Sequence, residues 1–256
     1  MSPFKNSARC FPTPLGYWTM HITRVLIMRK FGIALGLSTS ILACPLSLAV
    51  SAPLSPTLAD VPPNSVKTRQ VFDIFRGDDK IGTNTVDIER QNDTTQVKIA
   101  TDIHVKVMFI EAYRYAHSCK ETWKNGQLVA FKSETDDNGT KHAINVVAPS
   151  PDKVNIEIDG KHSDALKGMF PASLWSKDII NQQDIFDPVT GKRLSIKVKD
   201  LGEETLQVQS ATHKTHHYKI TDKTGDYERD VWFDGDVLVR MKLLGSDHST
   251  ITSDLR

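Results

Sequence analysis

Tyr113-Arg114-Tyr115-Ala116-His117-Ser118-Cys119-Lys120-Glu121-Thr122-Trp123-Lys124-Asn125-Gly126 is the stretch on which the fold turns. At a period of 3.6, and with Phe109 included, it makes a helix bearing Phe109, Ala112, Tyr113, Ala116, Cys119 and Trp123 on one stripe. At a period of two it is a strand with Glu111, Tyr113, Tyr115, His117, Cys119, Glu121 and Trp123 on one face. The strand is preferred because aromatic residues favour strands. Asn125-Gly126 follows at once, and both residues tolerate the positive φ of a tight hairpin.

Working outward, the same period recurs almost everywhere. Val71, Asp73 and Phe75 alternate with Phe72, Ile74 and Arg76, and Gly77-Asp78-Asp79-Lys80 reads as the turn into Val86 and Ile88. Val97, Ile99, Ile103, Val105, Val107 and Phe109 all carry odd numbers, which places them on one face of a long strand, with or without a bulge. Alternating apolar pairs continue through Ile144-Val146, Val154-Ile156-Ile158, Leu194-Ile196-Val198, Leu206-Val208, Tyr218-Ile220, Val231-Phe233 and Val237-Val239-Met241. Asn138-Gly139, Asp159-Gly160, Thr190-Gly191-Lys192, Leu201-Gly202, Thr224-Gly225-Asp226 and Asp234-Gly235 separate them. The prediction is an all-β, mostly antiparallel meander forming a strongly curved sheet or open β-barrel. Only the stretch between Pro171 and Asp187-Pro188 departs from it, with a short helix or ordered loop near residues 172–185.

The N-terminal part reads differently. Arg24, Arg29 and Lys30 precede an apolar run from Phe31 to Leu37 that continues to Leu42-Ala43 and ends in small residues, the pattern of a secretory signal. Ser38-Thr39-Ser40 and Pro45 interrupt the run, so it falls short of the roughly 20 apolar residues of a spanning helix. The expected organisation is a signal peptide over residues 1–52, with the true start at Met20 or Met28, a Pro/Ser-rich linker over 53–65 and a single β-rich domain over 66–256. Cleavage after Ala49 or Ala52 gives a periplasmic or secreted protein. Ile41-Leu42-Ala43-Cys44 offers the alternative of a lipoprotein acylated and tethered at Cys44. Either way the mature chain has no transmembrane span.

Charge narrows the partners. All 31 acidic residues follow Ala52, whereas Lys5, Arg9, Arg24, Arg29 and Lys30 precede it, leaving 27 of the 32 basic residues. A mildly acidic mature chain argues against nucleic acid or an anionic membrane surface as the natural partner. Of Cys10, Cys44 and Cys119, only Cys119 survives in a soluble mature form, so no intrachain disulfide forms and the core holds the fold alone.

Tyr113 to His117, Glu121 to Leu128, Ser133-Glu134-Thr135 with Asn138-Gly139, Pro171-Ala172-Ser173-Leu174-Trp175, Thr190-Gly191 and Val231-Trp232-Phe233-Asp234 together resemble a bacterial domain-of-unknown-function family of secreted, β-rich proteins. The resemblance covers nearly all of the mature chain. It implies an exported bacterial protein and a β fold, and assigns no chemistry.

The row on the decisive strand supplies the candidate site. Cys119 and His117 invite a reading as nucleophile and base, yet residues two apart on a strand sit about 7 Å apart with parallel side chains. The plainer reading is a half-buried face whose Glu and His are satisfied by each other or by a neighbouring strand. His213, His216 and His217 invite a metal, but on a strand His213 and His217 are about 13 Å apart and His216 faces the other way. No Cys pair, Gly-rich phosphate cradle or calcium loop is present, so no cofactor or metal is expected. A curved sheet offers a concave apolar surface. The sequence therefore points to a non-enzymatic periplasmic binding or carrier module for a lipid or lipophilic small molecule, with Tyr113, Tyr115, His117, Glu121 and Trp123 as its ligand-binding residues. The alternatives are an envelope scaffold that pairs with a partner protein through sheet edges, and a hydrolase with an unrecognised site.

Overall fold

Alternating apolar and polar residues become fifteen strands of one sheet in the computed structural model of the chain, which describes residues 65–256 apart from 151, 152, 165, 167 and 246. The expected signal peptide, Cys44 and almost all of the linker lie outside the described residues. The strands are β1 (Ser65–Arg76), β2 (Asp79–Gln91), β3 (Thr94–Val107), β4 (Ile110–Lys124), β5 (Gln127–Asp137), β6 (Thr140–Ser150), β7 (Lys153–Ile158) and β8 (Lys161–His162). They continue with β9 (Phe170–Pro171), β10 (Asp184–Phe186), β11 (Arg193–Val208), β12 (Ala211–Asp222), β13 (Glu228–Asp234), β14 (Val237–Leu244) and β15 (Thr250–Leu255).

The spatial order runs from β8 back to β1, then β15 down to β9. β1 therefore pairs with both β2 and β15, which brings the two ends of the described chain together in mid-sheet. β9 is parallel to β10; the other pairings are antiparallel and, apart from β1 with β15, join strands consecutive in sequence. Two-residue turns make this possible. Asn125 and Gly126 have φ of 50° and 75°, Asn138 and Gly139 51° and 94°, Asp159 and Gly160 49° and 76°. Positive φ at both central residues matches the twist of the flanking strands.

The sheet curls until its distant parts touch, without closing through strand pairing. Phe131 of β5 meets Phe186 of β10 edge to face at 5.0 Å between ring centres. Ser133 Oγ of β5 donates to the carbonyl of Pro188 at 2.7 Å. Gly191 lies so close to β7 that a Cβ there would sit 2.6 Å from Ile158 Cδ1. The segment between β8 and β11 thus fills the interior. Leu166, Met169, Leu174, Ile179 and Phe186 join Val97, Phe131, Ile144 and Ile220 in one main core. A smaller core contains Ile74, Ile81, Val105, Tyr113, Tyr115 and Val189. The short helix or ordered loop expected near 172–185 is a 3-10 helix (Lys177–Asn181), whose Ser176 side chain accepts from the Asp178 amide.

Two hairpins extend beyond their neighbours. Pairing of β2 to β3 stops at Ile103 and pairing of β5 to β4 at Tyr115, so residues 104–114 form a two-stranded ribbon. A bulge between Val105 and Lys106 shifts its register. The odd-number rule fails at the turn: Phe109, expected on the apolar face, follows Met108 at φ 56° in the connection between β3 and β4 and is fully exposed. At the opposite end β12 pairs with β13 only up to His216, while β11 and β12 stay paired to Val208 and Ala211. This arm lies against the outer face of the sheet. Gln209 reaches Asp73, Trp232 Nε1 donates to Glu204, and Val208 is buried.

Candidate functional site

Alternation along β4 turns Tyr113, Tyr115, His117, Cys119, Glu121 and Trp123 inward, and all six are buried. Glu111, expected on the same face, is exposed and paired with His104 at 2.9 Å, because Ala112, the extra residue of the bulge between it and Tyr113, reverses parity. The five predicted ligand-binding residues do share one wall. The wall is covered by the chain's own interior segment.

Its lower half centres on Glu121, which has no exposed surface. Trp123 Nε1 and Trp175 Nε1 both donate to Glu121 Oε2, at 2.8 and 2.7 Å, and Cys119 Sγ lies 3.7 Å from Oε1. The Ser173 hydroxyl is buried beside the same carboxyl without a regular hydrogen bond of its own. Burial pushes the carboxyl above its usual range, against the pull of the surrounding donors. The Trp123 ring also packs on Phe170 at 4.8 Å and meets Trp175 edge-on at 5.8 Å. Trp175, Ser173 and Phe170 went unplaced in the sequence reading; the Pro171 to Trp175 motif was visible, but which wall it faces was not.

The upper half is held differently. His117 Nδ1 bonds Thr135 Oγ1 at 2.8 Å, and burial lowers its pKa to about 4 despite the opposing charge of Asp187. Tyr113 donates to Asp137 Oδ1 at 2.7 Å, and its hydroxyl is held well above the ordinary phenol range by burial and that carboxylate. Tyr115 stacks on His117 at 6.3 Å. The Tyr227 hydroxyl is buried with no hydrogen-bond partner.

This chemistry is that of a buried polar seam. Burial drives the Cys119 thiol upward, away from the thiolate, and the imidazole beside it is engaged by Thr135. A Cys–His nucleophile needs the reverse, an activated thiolate next to a charged or basic partner. Among the described residues no three His, Cys, Asp or Glu side chains are grouped to hold a metal. His213 pairs with Asp234, His216 with Asp200, and His217 with Glu204 and Asp230. Among the same residues no helix is long and apolar enough to cross a membrane.

An antiparallel sheet curled around an inserted segment, with a buried carboxyl at the seam, defines a β-barrel-like protein. The chain belongs to the family described as domain of unknown function DUF6134, whose model matches residues 72–256. Its fold is similar to that of a β-barrel-like protein of domain of unknown function DUF1849 from Brucella abortus. That similarity has a TM-score of 0.53 at 10% identity, over 73% of this chain and 94% of the other. No curated protein matches the sequence.

Proposed function

We propose that the protein is a non-enzymatic binding or carrier module of the bacterial periplasm, which takes a lipid or lipophilic ligand against the β4 wall by displacing part of segment 163–192. The observation that supports it most is the Glu121 seam. The interior is filled by a segment of one two-residue strand, one three-residue strand and a five-residue 3-10 helix, joined to the sheet through Trp175–Glu121 and Pro188–Ser133. Such contacts can be exchanged for ligand contacts with far less disruption than a continuous strand ladder. A ligand covering Trp123, Phe170 and Tyr115 would gain about 25 cal/mol for each Å² of apolar surface removed from water. The scaffold alternative has less support, since β8 and β9, the strands at the two edges, are two residues long. Edges that short give a partner strand little to pair with.

Native mass spectrometry of protein isolated from the envelope tests this reading. A chain beginning near Val50 or Pro53 with a retained lipophile supports it, and a mass showing acylated Cys44 moves the protein to a membrane tether. Uptake of N-phenylnaphthylamine by the delipidated protein, weakened more than folding by Trp123→Ala, is the second expected result. Protein that carries no ligand and takes up no probe overturns the carrier role.

A further inference from the structure

Met108, Phe109 and Ile110 stand together at the tip of the ribbon made by β3 and β4. Met108 is 89% exposed, Phe109 fully and Ile110 70%. Single apolar residues on a surface are ordinary, whereas three large ones in succession form a patch of the kind that marks an interaction site. The other large exposed hydrophobics among the described residues, Val66, Val147, Leu201, Val237 and Leu244, fall singly along β1, β6, β11 and β14. Turn chemistry does not account for the tip. Met108 has φ of 56°, the left-handed conformation that Asn125, Asn138 and Asp159 supply in three other turns of the sheet. Asn, Asp and Gly adopt it most readily, so a methionine there forgoes the favoured residue and gains no burial within the chain.

The apolar surface stops just behind the tip. On the exposed side of the ribbon Lys106 stands opposite Glu111, and His104 reaches Glu111 at 2.9 Å and Asp102 at 2.7 Å. Val105 and Tyr113 turn the other way, into the smaller core. Three side chains offer roughly a few hundred Å² of apolar surface, well short of the about 800 Å² per partner in a stable protein interface. The patch is also convex, the end of two strands whose pairing with β2 and β5 has already stopped at Ile103 and Tyr115. A protein partner would have to supply a matching hollow, whereas acyl chains close around any apolar shape.

We propose that the β3–β4 tip docks the protein on a lipid bilayer, with Met108, Phe109 and Ile110 inserted to the boundary between headgroups and acyl chains, about 5–10 Å deep. His104, Lys106 and Glu111 then lie among the headgroups, where water and zwitterionic groups solvate them. Since both signs of charge are present there, the attraction comes from apolar burial and needs no anionic lipid. The contact is peripheral, and it holds whether or not the interior takes a ligand.

The test mixes the mature, unacylated protein with phosphatidylcholine vesicles at millimolar lipid. Co-sedimentation is expected, nearly unchanged between about 0.05 and 0.5 M salt, where a contact between exposed charges would be screened. Phe109→Asp should lower the partition coefficient about tenfold or more and leave Tm unchanged, because the side chain is fully exposed. Val66→Asp, exposed beside the β2–β3 turn at the far end of the sheet, should leave partitioning unchanged. Phe109→Trp puts a reporter at the tip: its added emission should be quenched by phosphatidylcholine brominated on the acyl chains, while that of the parent, whose Trp123 and Trp232 are buried, should not. Absence of co-sedimentation, an equal loss in Val66→Asp, an unquenched Phe109→Trp or a lower Tm in Phe109→Asp overturns the docking. A concentration-dependent dimer that Phe109→Asp dissolves, without vesicle binding, overturns it as well and assigns the tip to a contact between copies of this chain.

Discussion

The indole nitrogens of Trp123 and Trp175, from β4 and from the interior segment, converge on one oxygen of Glu121. Each donor would otherwise be buried without an acceptor. Glu121→Ala should therefore cost about 3 kcal/mol or more, combining a cavity with two orphaned N–H groups. Glu121→Gln keeps an acceptor oxygen and should stay within about 1 kcal/mol of the parent near neutral pH. The pH dependence carries a sign. A raised folded pKa means that the folded state holds the proton more tightly, so this group's contribution is complete below the unfolded carboxyl value and is lost as pH rises through the folded one. Urea unfolding across pH should show that decline in the parent and not in Glu121→Gln.

His117 titrates with the opposite slope. Its pKa falls from 6.5 to about 4 in the fold, so between those values the unfolded chain binds the proton and the native imidazole does not. Stability then falls as pH drops from about 6.5 to about 4 and levels off below, by about 3 kcal/mol in all. His117→Gln should flatten that part of the profile. Because Glu121 slopes the other way, the comparison belongs in single variants, and an unchanged profile in His117→Gln would remove the buried neutral imidazole from the account.

Two glycines separate conformational strain from crowding. Gly126 has φ of 75° and open space where a Cβ would project, so Gly126→Val should cost about 1 kcal/mol from backbone strain. Gly82 has an ordinary φ, but a Cβ there would lie 2.2 Å from the Asp102 carbonyl oxygen and 2.9 Å from Ile103 Cα. Backbone cannot swing aside as a flexible side chain does, so Gly82→Ala should cost at least about 2 kcal/mol. Denaturant midpoints would rank the pair, and a harsher effect at Gly126 would reverse the reasoning.

The sequence made the strands readable because burial on one face enforces parity: Tyr113 to Trp123 point inward as their numbers predict, and Asn125-Gly126 turns where its φ preferences require. Parity is blind to bulges. One extra residue on β4, Ala112, sends Glu111 to solvent, and Phe109 is exposed because it falls in the turn between β3 and β4. The partners of the wall were hidden for another reason. Glu121 and Trp175 are separated by 54 positions, and Ser173-Leu174-Trp175 falls in the stretch expected as a short helix or ordered loop, an expectation that does not say which wall it faces.

Closure at the chain ends rests partly on charge. Asp73 of β1 and Asp254 of β15 are directly opposed, an arrangement that repels unless each carboxylate is neutralised. Arg240 grips Asp254 through two bonds of 2.5 and 2.6 Å. Arg256 Nη2 and Lys80 Nζ meet Asp73 at 2.6 and 2.7 Å. The Arg256 bond chiefly holds the Asp73 carboxyl below its usual value. Stability from it is present above the unfolded carboxyl pKa and is lost as pH falls through the folded one. Arg256 and Lys80 are about half exposed, so screening limits the gain. A double-mutant cycle of Asp73→Ala and Arg256→Ala should give a coupling of about 1 kcal/mol at low salt that shrinks toward zero in about 1 M salt. Zero coupling at low salt would mean that β1 and β15 are held by their ladder and by Phe72 beneath it, with the ion pair merely tolerated.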